Sequence, residues 1–191
     1  KAKSVDMIYL DSPNNPTGFQ FSNKDLEKLI KSFSGPIIID EAYGEFSNSS
    51  VLSLVKKYPN IILVKTLSKA FGLAGLRIGY MIADKKITEV FSNVIQYPYP
   101  LNTLAIECGI LAIEKSKQII PIFEVIKKQR ARIIKNLKKY DAFDVFDSNA
   151  NFVLFDAKGA DTRVYNALIE QGISIRKLGK LASHKGCLRV T

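Results

Sequence analysis

The sequence predicts an α/β fold with a largely parallel sheet, followed by a smaller α+β unit, and three observations carry that reading. Largely apolar runs over 5–10, 36–40 and 61–66 have the composition of strands buried on both faces, and helical stretches lie between some of them. Each run ends in a turn-forming or polar segment, where the carboxyl ends of parallel strands offer chemistry. Beyond residue 140 the texture changes to short strands around one helix. We place the two units at 1–116 and 117–191.

Taken in order, the first strand, over 5–10, leads into Asp11-Ser-Pro-Asn-Asn-Pro-Thr-Gly18, a run dense in turn formers. Ser22 with Asp25 three residues on reads as a capping box, and Leu26, Leu29, Ile30 and Phe33 supply one apolar helix face that Gly35-Pro36 ends. The second strand, over 36–40, closes on an acid and is followed by Glu41-Ala-Tyr43. The third, over 61–66, leads to Lys69, and a fourth covers 78–83. Asp84 caps a helix to about 96, Tyr97-Pro-Tyr-Pro100 breaks it, and Asn102 caps the next to about 115. A long amphipathic helix runs from near Pro121, a residue tolerated in a first turn, to Tyr140. Strands over 143–146 and 152–155, a helix over 161–171 closed by Gly172, and strands over 173–176 and 188–191 complete the chain.

Composition narrows the function classes. At 191 residues and 47% apolar content the chain fills one ordinary domain, or one and a half small ones. No apolar run approaches the ~20 residues needed to cross a bilayer, and 1–6 lacks a signal-peptide core, so residence in the cytoplasm, away from membranes, is expected. Two cysteines, Cys108 and Cys187, make no disulfide framework, and with one histidine, His184, the chain cannot anchor a metal cluster. The net charge of +10 raises nucleic acid as a partner, but Lys24, Lys28, Lys31, Lys56, Lys57, Lys127 and Lys128 are spread over separate helices with no binding motif beside them. A solvated lysine-rich surface accounts for that charge.

The chemistry gathers on Lys69. A primary amine delivered by a buried strand, with Thr66 and Ser68 before it and Arg77 eight positions later, suits a Schiff base with an aldehyde. Pyridoxal 5'-phosphate is the cofactor that most often asks for such a lysine, and the hydroxyls and the arginine suit its phosphate. Three strand ends thus offer Asn14 and Asn15, Asp40 and Tyr43, and Lys69. Each residue also has a plainer role open to it: Lys69 as a surface lysine, Asp40 as a turn cap, Tyr43 as core, Asn15 as a turn residue before Pro16.

Four motifs in order, Ser12-Pro-Asn-Asn-Pro-Thr-Gly18, Asp40-Glu-Ala-Tyr43, Thr66-Leu-Ser-Lys69 through Arg77-Ile-Gly-Tyr80, and Cys187-Leu-Arg-Val-Thr191, make the chain resemble the class I/II pyridoxal-phosphate aminotransferases. Within them it is most similar to the histidinol-phosphate aminotransferases, through the wording around Lys69 and through Ser148-Asn-Ala-Asn-Phe152. The resemblance implies fold type I of the pyridoxal-phosphate enzymes and a set of roles. Lys69 would hold the cofactor and then move the substrate proton. Asp40 would face the pyridine nitrogen, and Tyr43 and Asn15 the phenolic oxygen. Thr66, Ser68 and Arg77 would hold the phosphate. Arg189 would clamp the substrate carboxylate, with Arg176 at the substrate's other end.

The implied reaction passes an amino group between an amino-phosphate such as histidinol phosphate and 2-oxoglutarate, as in histidine biosynthesis. Threonine-phosphate decarboxylases and aromatic aminotransferases share the motifs, and a non-catalytic module on the same fold would retain them without the chemistry. The pattern matches the later half of such an enzyme. The family's phosphate-binding helix start, its ring-stacking aromatic and the residues that reach into a partner subunit are expected upstream, which makes the chain read as a fragment of a protein that works as a homodimer.

Overall fold

The computed structural model describes residues 5–191; the polar start over 1–4, part of the segment read for a missing leader core, lies outside the described residues. Two four-stranded sheets organise the chain. In the first, β1 (Ile8–Asp11), β2 (Ile37–Asp40) and β3 (Ile61–Thr66) run parallel in that order, and β4 (Gly79–Ala83) closes the edge antiparallel to β3. In the second, the order is β5 (Asp144–Val145), β6 (Val153–Asp156), β8 (His184–Val190) and β7 (Arg176–Leu181), all antiparallel.

The parallel register brings strand ends together. Asp11 lies opposite Asp40 and Asp40 opposite Val64, so β3 overshoots its neighbour by two residues before the chain turns to Lys69. Ile37, Ile39, Ile61 and Leu63 are each 0% exposed, packed against Leu26 and Ile30 of α1 (Asn23–Ser32) and Leu54 of the short α2 (Leu52–Val55). Burial of such a side chain contributes about 1.5–3 kcal/mol, so this layer fixes the frame on which the strand ends are placed.

The connecting helices are α3 (Lys85–Val90), extended by a π-helical turn over Phe91–Ile95, α4 (Thr103–Glu114), α5 (Ser116–Leu137) and α6 (Asp161–Glu170). Ser22, Asp84 and Asn102 each accept a backbone N–H at the start of α1, α3 and α4, as their sequence positions suggest. Gly172 follows α6 with φ at +75°, the left-handed conformation that ends a helix. Among the described residues no helix is long and apolar enough to cross a membrane.

Several boundaries depart from expectation. Strand β1 starts at Ile8, where its N–H first reaches the Pro36 carbonyl, leaving Val5 and Met7 exposed. Helix α5 starts at Ser116 because the single residue Lys115 both ends α4 and begins α5, so Pro121 lies inside the helix. Proline cannot donate to the carbonyl four residues back, and so near the start the loss is one bond. The strand expected over 173–176 instead begins at Arg176, and its partner at His184, because the segment Lys177-Leu-Gly-Lys180 is drawn into an edge strand by pairing with β8.

One apolar cluster joins the two sheets. Tyr43 and Phe46, after β2, pack with Phe123 of α5 and with Ala150 and Phe152, just before β6. Tyr43 meets Phe152 edge-on at 5.1 Å between ring centres. Arg130 of α5 reinforces the joint by donating from Nη1 to the Phe46 carbonyl at 3.0 Å and the Ala150 carbonyl at 2.6 Å.

Candidate cofactor and substrate site

The loop after β1 is clamped from both sides. Ser12 is buried and its Oγ accepts the Phe21 N–H, while its own N–H continues the sheet pattern to the Asp40 carbonyl. Asn15 donates its N–H to Asp11 Oδ2 and stands exposed at the loop's outer end. Gly18 closes the loop at φ +71°, with its carbonyl accepting the Asn149 N–H. A Cβ on Gly18 would lie 2.2 Å from Ser148 Oγ, so only glycine lets this loop meet the segment before β6.

Asp40 ends β2 with both carboxylate oxygens engaged. Oδ1 accepts the Ala42 N–H at 2.8 Å, and Oδ2 accepts the hydroxyl of Tyr9, a residue of β1 absent from the sequence-derived set. That hydrogen bond, with burial and the charges of Asp40 and Asp11, pushes the Tyr9 phenol up to about 12. Tyr9 therefore keeps its proton and acts as a donor at any physiological pH.

Lys69 is exposed, with Nζ 5.6 Å from the centre of the Tyr43 ring. Before it, Thr66 Oγ1 lies 2.9 Å from Ser68 Oγ and 2.9 Å from the Ile78 carbonyl oxygen, and it accepts the Ser68 N–H. The Thr66 hydroxyl thus faces the backbone just after Arg77, with the Ser68 hydroxyl beside it. Arg77 itself is exposed in the left-handed region at φ 56°, with Nη1 donating to the Ala74 carbonyl. Four of its five guanidinium N–H groups are left for an anion.

Arg189 crosses from the second sheet to the first. Its Nη1 donates to Asn15 Oδ1 at 2.6 Å, its guanidinium carbon lies 4.7 Å from the centre of the Phe152 ring, and its Nε is buried with no hydrogen-bond partner among the described residues. Arg176 is its direct cross-strand neighbour, and both line a cleft of about 510 Å³ with Tyr165, Ser174 and Lys177. A larger, shallow hollow of about 870 Å³ at the start of α6 is lined by no residue of this set. Lys69, Tyr43, Phe152, Arg189 and Asn15 form a continuous series of contacts; Asp40 stands three residues before Tyr43, and Arg77 makes its one hydrogen bond within its own loop.

A further group escaped the sequence reading. Lys65 of β3 lies between Glu45, at 2.9 Å, and Glu41, at 3.3 Å, and Glu41 is 0% exposed. Burial pulls the Lys65 pKa down, but the two carboxylates outweigh it and leave the ammonium above its ordinary range. Alternation along β3 puts Lys65 on the face opposite Thr66, so this buried cluster supports the site from behind. A lysine within an otherwise apolar strand was its signal.

An α/β chain whose parallel strand ends present an acid, a tyrosine and a lysine, with two arginines from a second sheet, has the layout of a cofactor-dependent group-transfer protein. The chain belongs to the aminotransferase class I and II family, whose model matches residues 1–191. It is 37% identical over 185 residues to the histidinol-phosphate aminotransferase of Thermoanaerobacter pseudethanolicus, covering 97% of this chain and 52% of that protein. Among solved structures it resembles a decarboxylase from Sulfurospirillum multivorans, with TM-score 0.83, 30% identity, and 97% and 56% of the two chains covered. It also resembles the histidinol-phosphate aminotransferase of Sinorhizobium meliloti in complex with pyridoxal 5'-phosphate, with TM-score 0.84, 26% identity, and 98% and 53% covered. The chain spans about half the length of the relatives it matches.

Proposed function

We propose that this chain is the later half of a pyridoxal-phosphate-dependent aminotransferase that moves an amino group between an amino-phosphate such as histidinol phosphate and 2-oxoglutarate. In this reading 1–116 belongs to the cofactor-binding domain and 117–191 to the small domain of a cytoplasmic, homodimeric biosynthetic enzyme. The observation that supports it best is Arg189, a half-buried guanidinium oriented by Asn15 and Phe152, with an unpartnered Nε and a second arginine beside it. Such a group suits an oxyanion that presents two oxygens side by side, the feature shared by a carboxylate and a phosphate.

The residues also suit pyridoxal phosphate, which when bound supplies an aldehyde and a ring that accepts electrons. Asp40 would keep a proton on the ring nitrogen by placing its negative charge there. Because Asn15 Oδ1 accepts from Arg189, its side-chain amide N–H groups are the ones free to donate, which suits the phenolic oxygen that Tyr43 would also reach. The Thr66 and Ser68 hydroxyls would hydrogen-bond to the phosphate, and Arg77 would offset its charge. Arg189 would hold the substrate anion so that the reacting carbon faces the Lys69 amine, which would carry the proton between two positions.

The test is reductive trapping. Incubation with pyridoxal phosphate followed by borohydride and peptide mapping is expected to label Lys69, with no label in Lys69→Ala. A labelled pattern unchanged in that variant overturns the reading. Decarboxylation is the second reading, favoured by the likeness to the Sulfurospirillum multivorans decarboxylase, with phosphothreonine the substrate that the shared motifs suggest. Release of carbon dioxide from phosphothreonine, with no amino transfer to 2-oxoglutarate, would establish it in place of the first.

A further inference from the structure

We propose that Tyr9 is a positioning residue for Asp40, fixing the plane and the charge of the carboxylate that would face the cofactor's ring nitrogen; the inference rests on that reading of Asp40. Tyr9 lies opposite Ile38 in the parallel pair of β1 and β2, which puts its side chain on the same sheet face as Asp40, one step diagonal to it. From there its hydroxyl reaches Oδ2, while the Ala42 N–H holds Oδ1. Two donors on two different oxygens, one from each side, leave the carboxylate no free rotation about its last bond.

The identity of the donor matters. An arginine or lysine at position 9 would cancel the charge of Asp40, whereas a phenol orients the carboxylate and leaves its charge available to a third group. Each carboxylate oxygen accepts two hydrogen bonds, so a ring N–H can still be received beside Tyr9. The Tyr9 ring is itself 57% exposed, so its packing gives little reason for its placement, and the hydrogen bond to Asp40 is its principal fixed contact with the site. A phenol held at about 12 does not compete for the role of acid or base.

The experiment has two arms. In the first, the ring-carbon NMR signals of Tyr9 are titrated in the wild type and in Asp40→Asn without cofactor. The Tyr9 midpoint is expected to fall from about 12 toward the ordinary tyrosine range when the carboxylate is removed. An unchanged midpoint shows that the pair does not form, and overturns the proposal.

In the second arm, pyridoxal phosphate affinity and the pH dependence of the bound cofactor's absorbance are measured for the wild type, Tyr9→Phe, Asp40→Asn and the double variant. Tyr9→Phe is expected to weaken binding roughly threefold to tenfold, the worth of one hydrogen bond, and to move the absorbance midpoint. Both effects should vanish in the Asp40→Asn background. If Asp40→Asn shifts the absorbance and Tyr9→Phe does not, or if the Tyr9→Phe effect persists without Asp40, Tyr9 is merely structural and the proposal fails. If Asp40→Asn itself changes nothing, or the wild type takes up no cofactor, the reading of Asp40 fails and takes this inference with it, while the first arm still reports whether the pair exists.

Discussion

Lys65 is the residue whose removal exposes most of the hidden cost of this site. It neutralises Glu41, a carboxylate with no exposure at all that also accepts from Ser50 Oγ and the Val51 N–H. Lys65→Met would leave that charge buried and partly unpaired, and denaturation should show a loss of about 3 kcal/mol, much of it recovered in Lys65→Met/Glu41→Gln. The ammonium's pKa is raised in the fold, so its contribution is fully present below about pH 10.4 and is lost as pH rises through the folded value. Wild-type stability should therefore fall above that pH more steeply than that of the variant. Gly18 is a second single point of failure, since Gly18→Ala adds a Cβ 2.2 Å from Ser148 Oγ at positive φ. It should cost about 2–4 kcal/mol in the same experiment, and Ser148→Gly in that background should return part of it. The placement of Asp40 at a strand end and of Lys69 just beyond one was legible in the sequence, because the apolar runs of the buried strands stop there. Tyr9 and Lys65 were not, because what they touch depends on register between strands, which a single strand's composition does not carry.

At the scale of elements, legibility followed burial. Strand β3 falls where its apolar run lies, and the caps of α1, α3 and α4 are the residues whose side chains favour that role. Strand β7 was misplaced because an edge strand rich in lysine has no apolar alternation to mark it, and only its pairing with β8 defines it. What pins that hairpin is Asp156 of β6. Burial pushes its carboxyl up, but the Lys158 and Gly186 N–H groups and the His184 ring outweigh this and hold it below the usual carboxylate range. The stabilisation is present above about pH 4 and is lost as pH falls through the lowered value. Asp156→Asn retains acceptors for the backbone donors but has no charge to titrate. Thermal unfolding between pH 2 and 6 should show a shallower acid limb for the variant, and parallel limbs would mean that the acid response originates in other carboxylates. Since β8 carries Arg189, acid should loosen that arginine before it disturbs the parallel sheet.

For the whole molecule, the candidate site is completed where the two sheets meet, and the joint is small. Asn15 and Gly18 come from the first sheet's loop, Arg189 and Asn149 from the second sheet and its approach, and Arg130 ties the Phe46 and Ala150 carbonyls from a helix between them. The apolar part is the cluster of Tyr43, Phe46, Phe123, Ala150 and Phe152. Those rings hold the sheets together but tolerate sliding, because edge-on aromatic contacts are shallow in angle and offset. Hydrogen bonds from one guanidinium to two carbonyls do not. Arg130 should therefore set the relative placement of Asn15 and Arg189 more than it sets overall stability. Arg130→Met keeps a long apolar stem against the cluster and removes the donors, and amide exchange is expected to quicken roughly tenfold at Asn149, whose N–H bonds the Gly18 carbonyl across the joint. Exchange at Ile39 and Leu63, inside the first sheet, should stay as it is. Under the proposed function, the same variant should raise the KM for 2-oxoglutarate more than it lowers kcat, because Arg189, proposed to receive the carboxylate, would be displaced while Lys69 and Asp40 keep their frame. Unchanged exchange at Asn149 would show that the aromatic cluster alone aligns the two sheets, and that Arg130 serves only to satisfy the carbonyls it touches.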